Sequence, residues 1–365
     1  MAKYVFLLTA ILLDLSSLHS NIVNVPGDYS TINLAISFAS NGDTIIAAPG
    51  VYYENVNYRG KSIVLTSTYF LTNDPAAIHN TVVNGSKPGN NDTGSCVIIS
   101  GVTGTEAVLQ GFSVTGGSGT KWNDEHGVGL FREGGGILVQ FSSATIKNNI
   151  IFGNIISDTT GVISTGGGGI RIGSSKVRFH NNLVYGNSAR YGAGIVLNFA
   201  SCDLRNNIIS GNYGSFHFGS GAGIWINGDS TEQIKVINNV ITGNASSNGF
   251  CGIRAGGPYI FKNNIIWGNT SASNIQVSPL LEITYSCIQG GYAGTGNISS
   301  EPLFENESYR LSGNSPCIDS GDPATEYNDL PAANSTTEAL FPSFGSIRND
   351  IGAYGGQNME ILKFR

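Results

Sequence analysis

Cationic side chains recur at matched places in a repeating phrase of this sequence. Just after each Gly-rich step, one position gives Leu138, Arg171, Val196, Trp225, Arg254 and Gln276. Just before each Asn pair, another gives Lys147, His180, Arg205, Ile237 and Lys262, and beside that row run Thr145, Arg178, Asp203, Lys235 and Ile260. Arg, Lys and His donors suit carboxylate or sulfate groups on an extended polyanion, and Trp suits the apolar face of a sugar ring. The substrate-binding candidates are therefore Arg171, Trp225, Arg254, Lys147, His180, Arg205 and Lys262. The bland alternative is a solvated face, because long cations cover strands well and raise solubility. A second group stands between the repeats: His126, Arg132, Glu133, Arg190, Tyr191 and His217. Taking a proton from a uronate requires its carboxylate neutralised and a base nearby, often Lys, Arg or His. These six are the catalytic candidates if they converge; otherwise His126 and His217 are merely exposed polar loop residues.

The elements that must position them repeat five times. Asn-Asn, any residue, Ile or Val, any residue, Gly-Asn begins at 148, 181, 206, 238 and 263, with steps of 33, 25, 32 and 25 residues. A Gly-rich step alternates with it: Gly134-Gly135-Gly136-Ile137, Gly168-Gly169-Ile170, Gly192-Ala193-Gly194-Ile195, Gly221-Ala222-Gly223-Ile224 and Cys251-Gly252-Ile253. Such periods mark units that cannot bury an apolar face alone and must stack. Apolar residues fall at every second position in Ile170-Arg171-Ile172, Ile195-Val196-Leu197 and Ile224-Trp225-Ile226, which is the strand period. Each repeat thus reads as one lap of short strands and tight turns, with laps about 4.8 Å apart. Stacked at one corner, the repeated Asn amides can bond the turn backbone and one another. If Ile or Leu points inward, its neighbours form outward rows. The segments 116–133, 155–165, 188–191, 213–220 and 245–250 leave from one corner and should line up as a wall.

Three sets of residues make the chain resemble the right-handed parallel β-helix proteins of the pectate-lyase-like superfamily, of the secreted bacterial kind. The Asn-Asn and Gly-Gly-Ile phrases look like that group's repeats. The opening Val25-Pro26-Gly27-Asp28-Tyr29-Ser30-Thr31-Ile32, with Ala48-Pro49-Gly50-Val51-Tyr52-Tyr53-Glu54, looks like its N-terminal capping segment. Ser315-Pro316-Cys317-Ile318-Asp319-Ser320-Gly321-Asp322-Pro323 and Arg348-Asn349-Asp350-Ile351-Gly352-Ala353-Tyr354 look like its C-terminal end. The resemblance, over roughly residues 24–356, implies an all-β fold. That fold is a single-stranded right-handed parallel β-helix, or solenoid, with an N-terminal helix cap and an irregular C-terminal cap. For activity it implies little, because one fold carries many chemistries. Gly111-Phe112-Ser113 lacks the Asp that pectin methylesterases carry after Gly-Phe. No lap holds an Asp-Asp pair of the polygalacturonase kind or an acidic cluster for calcium.

Composition sets outer bounds. Fifty Gly, 40% apolar and 12% charged residues fit a turn-dense β protein. Net charge is −6, so no nucleic acid partner is expected. The charge is uneven: residues 135–270 hold nine Lys or Arg against four Asp or Glu. Five Cys at irregular spacing give neither a disulfide framework nor a zinc pattern, and no cofactor is identified. Met1-Ala2-Lys3 and the apolar run to Leu13 read as a signal peptide cleaved near Ser20, too short to span a bilayer. The expected divisions are 1–20 signal peptide, 21–300 β-helix with its N-terminal cap, and 301–365 C-terminal cap and tail. Ser30 is expected to cap a short helix through Phe38, and residues 72–95 to form a lateral loop. The first functional expectation is an exported monomer, secreted or at the cell surface, that binds an acidic polysaccharide and cleaves it by β-elimination if it is a lyase. The second is a non-catalytic surface or adhesion module.

Overall fold

The computed structural model describes residues 20–124, 129–215, 217–229 and 231–359, so all but the last residue of the signal peptide expected over 1–20, and the candidate His126, lie outside the described residues. Three parallel sheets run the length of the molecule. Sheet A has ten strands from Ile22–Val25 to Ile283–Thr284, and sheet B has nine from Gly50–Tyr52 to Cys287–Ile288. Sheet C has eight, from Val56–Asn57 to Ile275–Val277. Each lap visits C, A and B in turn, as in Ile170–Gly173, Lys176–His180 and Leu183–Tyr185. Crossovers between parallel strands take the right hand that strand twist dictates. The result is a right-handed parallel β-helix. Its interior is filled by inward residues such as Ile170, Ile172, Val177, Phe179 and Val184, all buried. The unequal laps are in register: Arg171 pairs with Val196, His180 with Arg205, and Val184 with Ile209.

Asparagine explains why the short turns hold. The second Asn of each pair points inward, where its carbonyl accepts from the previous lap. Asn149 N and Nδ2 lie 3.0 and 3.1 Å from Asn182 Oδ1, and Asn182 N lies 2.9 Å from Asn207 Oδ1. The ladder continues through Asn239 and Asn264 to the Ser286 hydroxyl. A second ladder is built from the Gly-Asn half of the phrase, Asn154, Asn187, Asn212, Asn244 and Asn269. Gln276 closes it, its Oε1 3.3 Å from Asn269 N, because a register shift between Phe250 and Ile253 moves it out of the row expected after Arg254. The first Asn of each pair takes a left-handed backbone, φ 53–57°, which Asn tolerates better than other non-glycine residues. The Gly-rich steps answer a different demand. A Cβ at Gly169 or Gly223 would come within 2.6 Å of a carbonyl in the next lap.

Helix α1 (Ile32–Phe38) covers the first lap with Ile32, Ala35 and Ile36 buried. Its N-cap is Thr31, not the expected Ser30, and Thr31 Oγ1 accepts from Leu34 N at 3.1 Å. Glu54 accepts from the Ile32 and Asn33 amides, while Lys61 donates to three carbonyls at the other end, matching the helix dipole at both ends. The lateral loop expected at 72–95 is only partly a loop. It holds helix α3 (Ala76–Asn80), which follows α2 (Tyr69–Thr72), and then Thr81–Asn84, a true rung of sheet B pairing with Gly50–Tyr52. One lap therefore bulges at the Asn corner, which its Asn- and Pro-rich composition hid.

At the far end Tyr292 packs on the interior, its hydroxyl 2.8 Å from Leu281 N. The C-terminal segment is irregular, as expected, and turns back along the outside of sheet B. There the row Ile150, Leu183, Ile208, Val240, Ile265 and Cys287 is buried beneath Leu311, Cys317, Ile351, Ala353 and Tyr354. The outward Asn residues fasten it: Asn206 Nδ2 donates to Ala353 O at 3.0 Å, Asn238 Nδ2 to Asp350 O at 3.0 Å, and Asn181 Nδ2 to Asn358 O at 2.9 Å.

Candidate functional site

The loops between Gly-Asn and the Gly-rich step do form a wall. Thr93–Gly94, Gly119–Asn123, Leu130–Glu133 and Thr165–Gly166 make a small four-stranded sheet, and Ser188–Ala189, Tyr213–Gly214 and Ala245–Ser246 stack as another. This wall folds over the outer face of sheet C. The expected row Leu138, Arg171, Val196, Trp225 and Arg254 is in register there, outside the coil. It is not a free surface: Arg171 is fully buried and Trp225 is only 7% exposed.

Arg171 lies at the bottom. Its Nε is 3.0 Å from Glu133 Oε2, its guanidinium stacks 3.9 Å from the Trp122 ring, and Nη1 donates to Gln140 Oε1. Glu133 also accepts from Trp122 Nε1 at 2.8 Å and, through a short bond, from the Tyr191 hydroxyl. Burial and the Glu133 charge push the Tyr191 phenol well above its usual range, so it stays protonated and donates. Two glycines make room. A Cβ at Gly173 would collide with the Arg171 guanidinium, and one at Gly166 with the Tyr191 ring. Glu133, Arg171 and Tyr191 form a buried, charge-paired group in which Arg171 Nη2 makes no hydrogen bond among the described residues.

Above it opens a cleft of about 410 Å³. Phe131, Tyr191, Phe218, Trp225 and Phe250 supply its apolar surface, and Asp124, Glu133, Asn198, Asn227 and Arg254 its polar one. The Tyr191 ring meets Trp225 edge-on at 5.0 Å and Phe218 at 5.1 Å. Trp225 Nε1 donates to Phe218 O at 3.0 Å, which pins the loop tip. Arg254 stands 5.2 Å over the Trp225 ring and donates to Ile226 O at 3.2 Å, and among the described residues it has no carboxylate partner. Desolvation lowers its pKa, as expected of a cation pulled partly out of water.

The other candidates lie as follows. His217 packs against Phe218 with ring centroids 3.8 Å apart and the rings tilted at 49°, and burial, then the Arg190 charge, lower its pKa below 6.5. Arg190 anchors its backbone to Thr165. Arg132 is on the opposite face of its strand from Glu133, donating to Asn91 O at 2.7 Å and paired with Asp158 at 3.0 Å. It ties loops together and does not reach the cleft. Lys147, His180, Arg205 and Lys262 share one row of sheet A, far less cationic than its composition suggests. Arg205 pairs with Asp203 at 2.6 Å, His180 lies 3.5 Å from the same carboxylate, and Lys262 pairs with Asp322 of the C-terminal segment. A shallow groove beside that row mixes Lys176, Arg178 and Lys235 with Glu106 and Asp203. Asn198 and Asn227 were not among the candidates, although the strand period puts them on the same face as Val196 and Trp225. Among the described residues, no group of three or more His, Cys, Asp or Glu gathers as a metal site.

No family model matches the chain, and no curated protein does. Among solved structures it is similar to pectate lyase Pel9A, at 14% identity over 93% of this chain and 97% of that one, with a TM-score of 0.37. That likeness concerns the fold alone.

Proposed function

We propose that this β-helix binds an acidic polysaccharide in the cleft between the loop wall and sheet C. The observation that carries the reading is Arg254, a partly desolvated guanidinium beside an aromatic wall, with no carboxylate of its own among the described residues. A uronate or sulfate group would complete it by a charge-assisted pair, while Trp225 and Phe218 face the sugar ring. The Asn198 and Asn227 amides, 3.0 Å apart, suit hydroxyls. For cleavage by β-elimination Arg254 in the cleft would neutralise the carboxylate, and His217, held against the lining residue Phe218 rather than in the lining itself, is the candidate base. Arg171, held by Glu133, stays out of substrate contact and keeps the floor rigid.

The test is a panel of uronate and sulfated polymers, following both retention and the absorbance of unsaturated products. Arg254→Ala should weaken binding by about tenfold or more without lowering the melting temperature. If elimination occurs, His217→Ala abolishes it, and the wild-type rate holds as pH falls until it passes below 6.5. Binding without products supports the non-catalytic module; absence of binding to every polymer, even at low salt, removes the proposal.

A further inference from the structure

Cys287 and Cys317 belong to different parts of the fold and meet in one buried cluster. Cys287 sits in the last rung of sheet B, opposite Ile265, and ends the outward apolar row that the C-terminal segment covers. Cys317 lies in that segment. Its amide donates to Ser315 Oγ at 3.2 Å, and its carbonyl accepts from Ile351 N at 3.0 Å. Cys317 therefore stands between the end of the coil and the returning strip 349–359. Both are free thiols fully buried in this cluster, Cys317 in the layer that covers the row Cys287 ends, and Cys287 Sγ lies 3.1 Å from Ser300 O. The other three cysteines lie elsewhere: Cys96 bonds Thr115 O, Cys251 bonds Ile275 O, and Cys202 is in the coil interior.

We propose that Cys287 and Cys317 form a disulfide that clasps the C-terminal segment to the coil. The oxidant is a low-molecular-weight disulfide. The thiolate of one cysteine attacks it and expels one small thiolate, leaving a mixed disulfide. The second cysteine, as thiolate, then attacks the protein sulfur of that bond and expels the other. Two protein thiols and one small disulfide become one protein disulfide and two small thiols, with no electrons left over. The exchange takes place as the segment docks, because both sulfurs are sealed afterwards. The bond closes a loop between the final lap and a segment that otherwise holds by apolar packing and Asn amides, so it restrains the part most able to lift away. This inference is independent of the cleft.

The full chain is refolded with oxidised glutathione, unfolded in guanidinium with iodoacetamide, digested and weighed. The expected product is one peptide pair linked through Cys287 and Cys317, about 2 Da lighter than the two reduced peptides, with Cys96, Cys202 and Cys251 alkylated. Alkylation of all five, or a bond joining any other pair, overturns the proposal. As a second readout, dithiothreitol should speed proteolysis within residues 301–359 by about tenfold or more, and should have no effect on Cys317→Ser. Equal rates for oxidised and reduced wild-type protein overturn the clasp even if the bond forms. The wild-type comparison decides the matter should the variant fail to fold.

Discussion

Two arginines of one outward row have opposite fates, and the reason is what lies above each. Arg171 is covered by the hairpin that carries Trp122 and Glu133, whereas Arg254 lies beyond it at the cleft. Removing one partner of a buried pair strands the other, which costs about 3–5 kcal/mol. Glu133→Ala and Arg171→Ala should therefore each lower unfolding free energy in denaturant titrations by about that amount. Arg254→Ala should leave the midpoint unchanged and act on ligand retention. Equal melting losses at Arg171 and Arg254 would sink this division of roles. The sequence placed both arginines in one row through the strand period alone. It was silent on the cover, because the pairing of Glu133 with Arg171 depends on how an eighteen-residue insertion folds back (residues 116–133). One sign was available: Gly173 stands where neighbouring laps carry Gln140 and Asn198, and that lost side chain is the space Arg171 fills.

The Asn ladders are properties of the lap. Each inward amide is at once acceptor for one neighbour and donor to another, so a missing rung leaves a buried donor without its acceptor and buried carbonyls without their donor. Asn207→Ala would orphan Asn182 N and deny Phe179 O its donor. An orphaned buried group costs about 1–3 kcal/mol, so the substitution should destabilise the coil by about 2–4 kcal/mol. A thermal melt indistinguishable from wild type would show that water replaces the rung. The ladder was legible because the same phrase recurs at matched offsets, which loose turn composition does not explain. The outward Asn was not. Its left-handed backbone sends the amide to carbonyls more than a hundred residues away in sequence, and no local pattern announces that.

Across the whole molecule, the returning C-terminal strip is held by carboxylates in a dry setting. Asp329 accepts from Asp350 N and Gly356 N, and Asp350 from Asp319 N and Phe344 N. Burial, then the neighbouring Asp350 charge, raises Asp329 from 3.8 to about 8, and burial raises Asp350 to about 7. A carboxyl whose pKa is higher in the folded state binds protons that the unfolded chain has released. Its stabilising effect is complete below 3.8 and is lost as pH rises through about 7 to 8. Amide exchange over 349–359 should slow as pH is lowered from 8.5 to 5.5, after correction for intrinsic exchange, and Asp329→Asn should flatten that dependence. Faster corrected exchange at the lower pH would refute the assignment. The three-sheet coil was readable from period and punctuation. The strip's path was not, since the sheet B row it covers reads simply as strand interior.

Insertions that leave by one corner have a mechanical consequence. Each is bracketed by an amide rung before it and by glycines in backbone contact with the next lap after it, so the frame does not feel how long the excursion is. The coil behaves as a chassis with interchangeable tooling along one edge. Swapping the tip 213–220 for another sequence should retune what is gripped while the chassis melts as before.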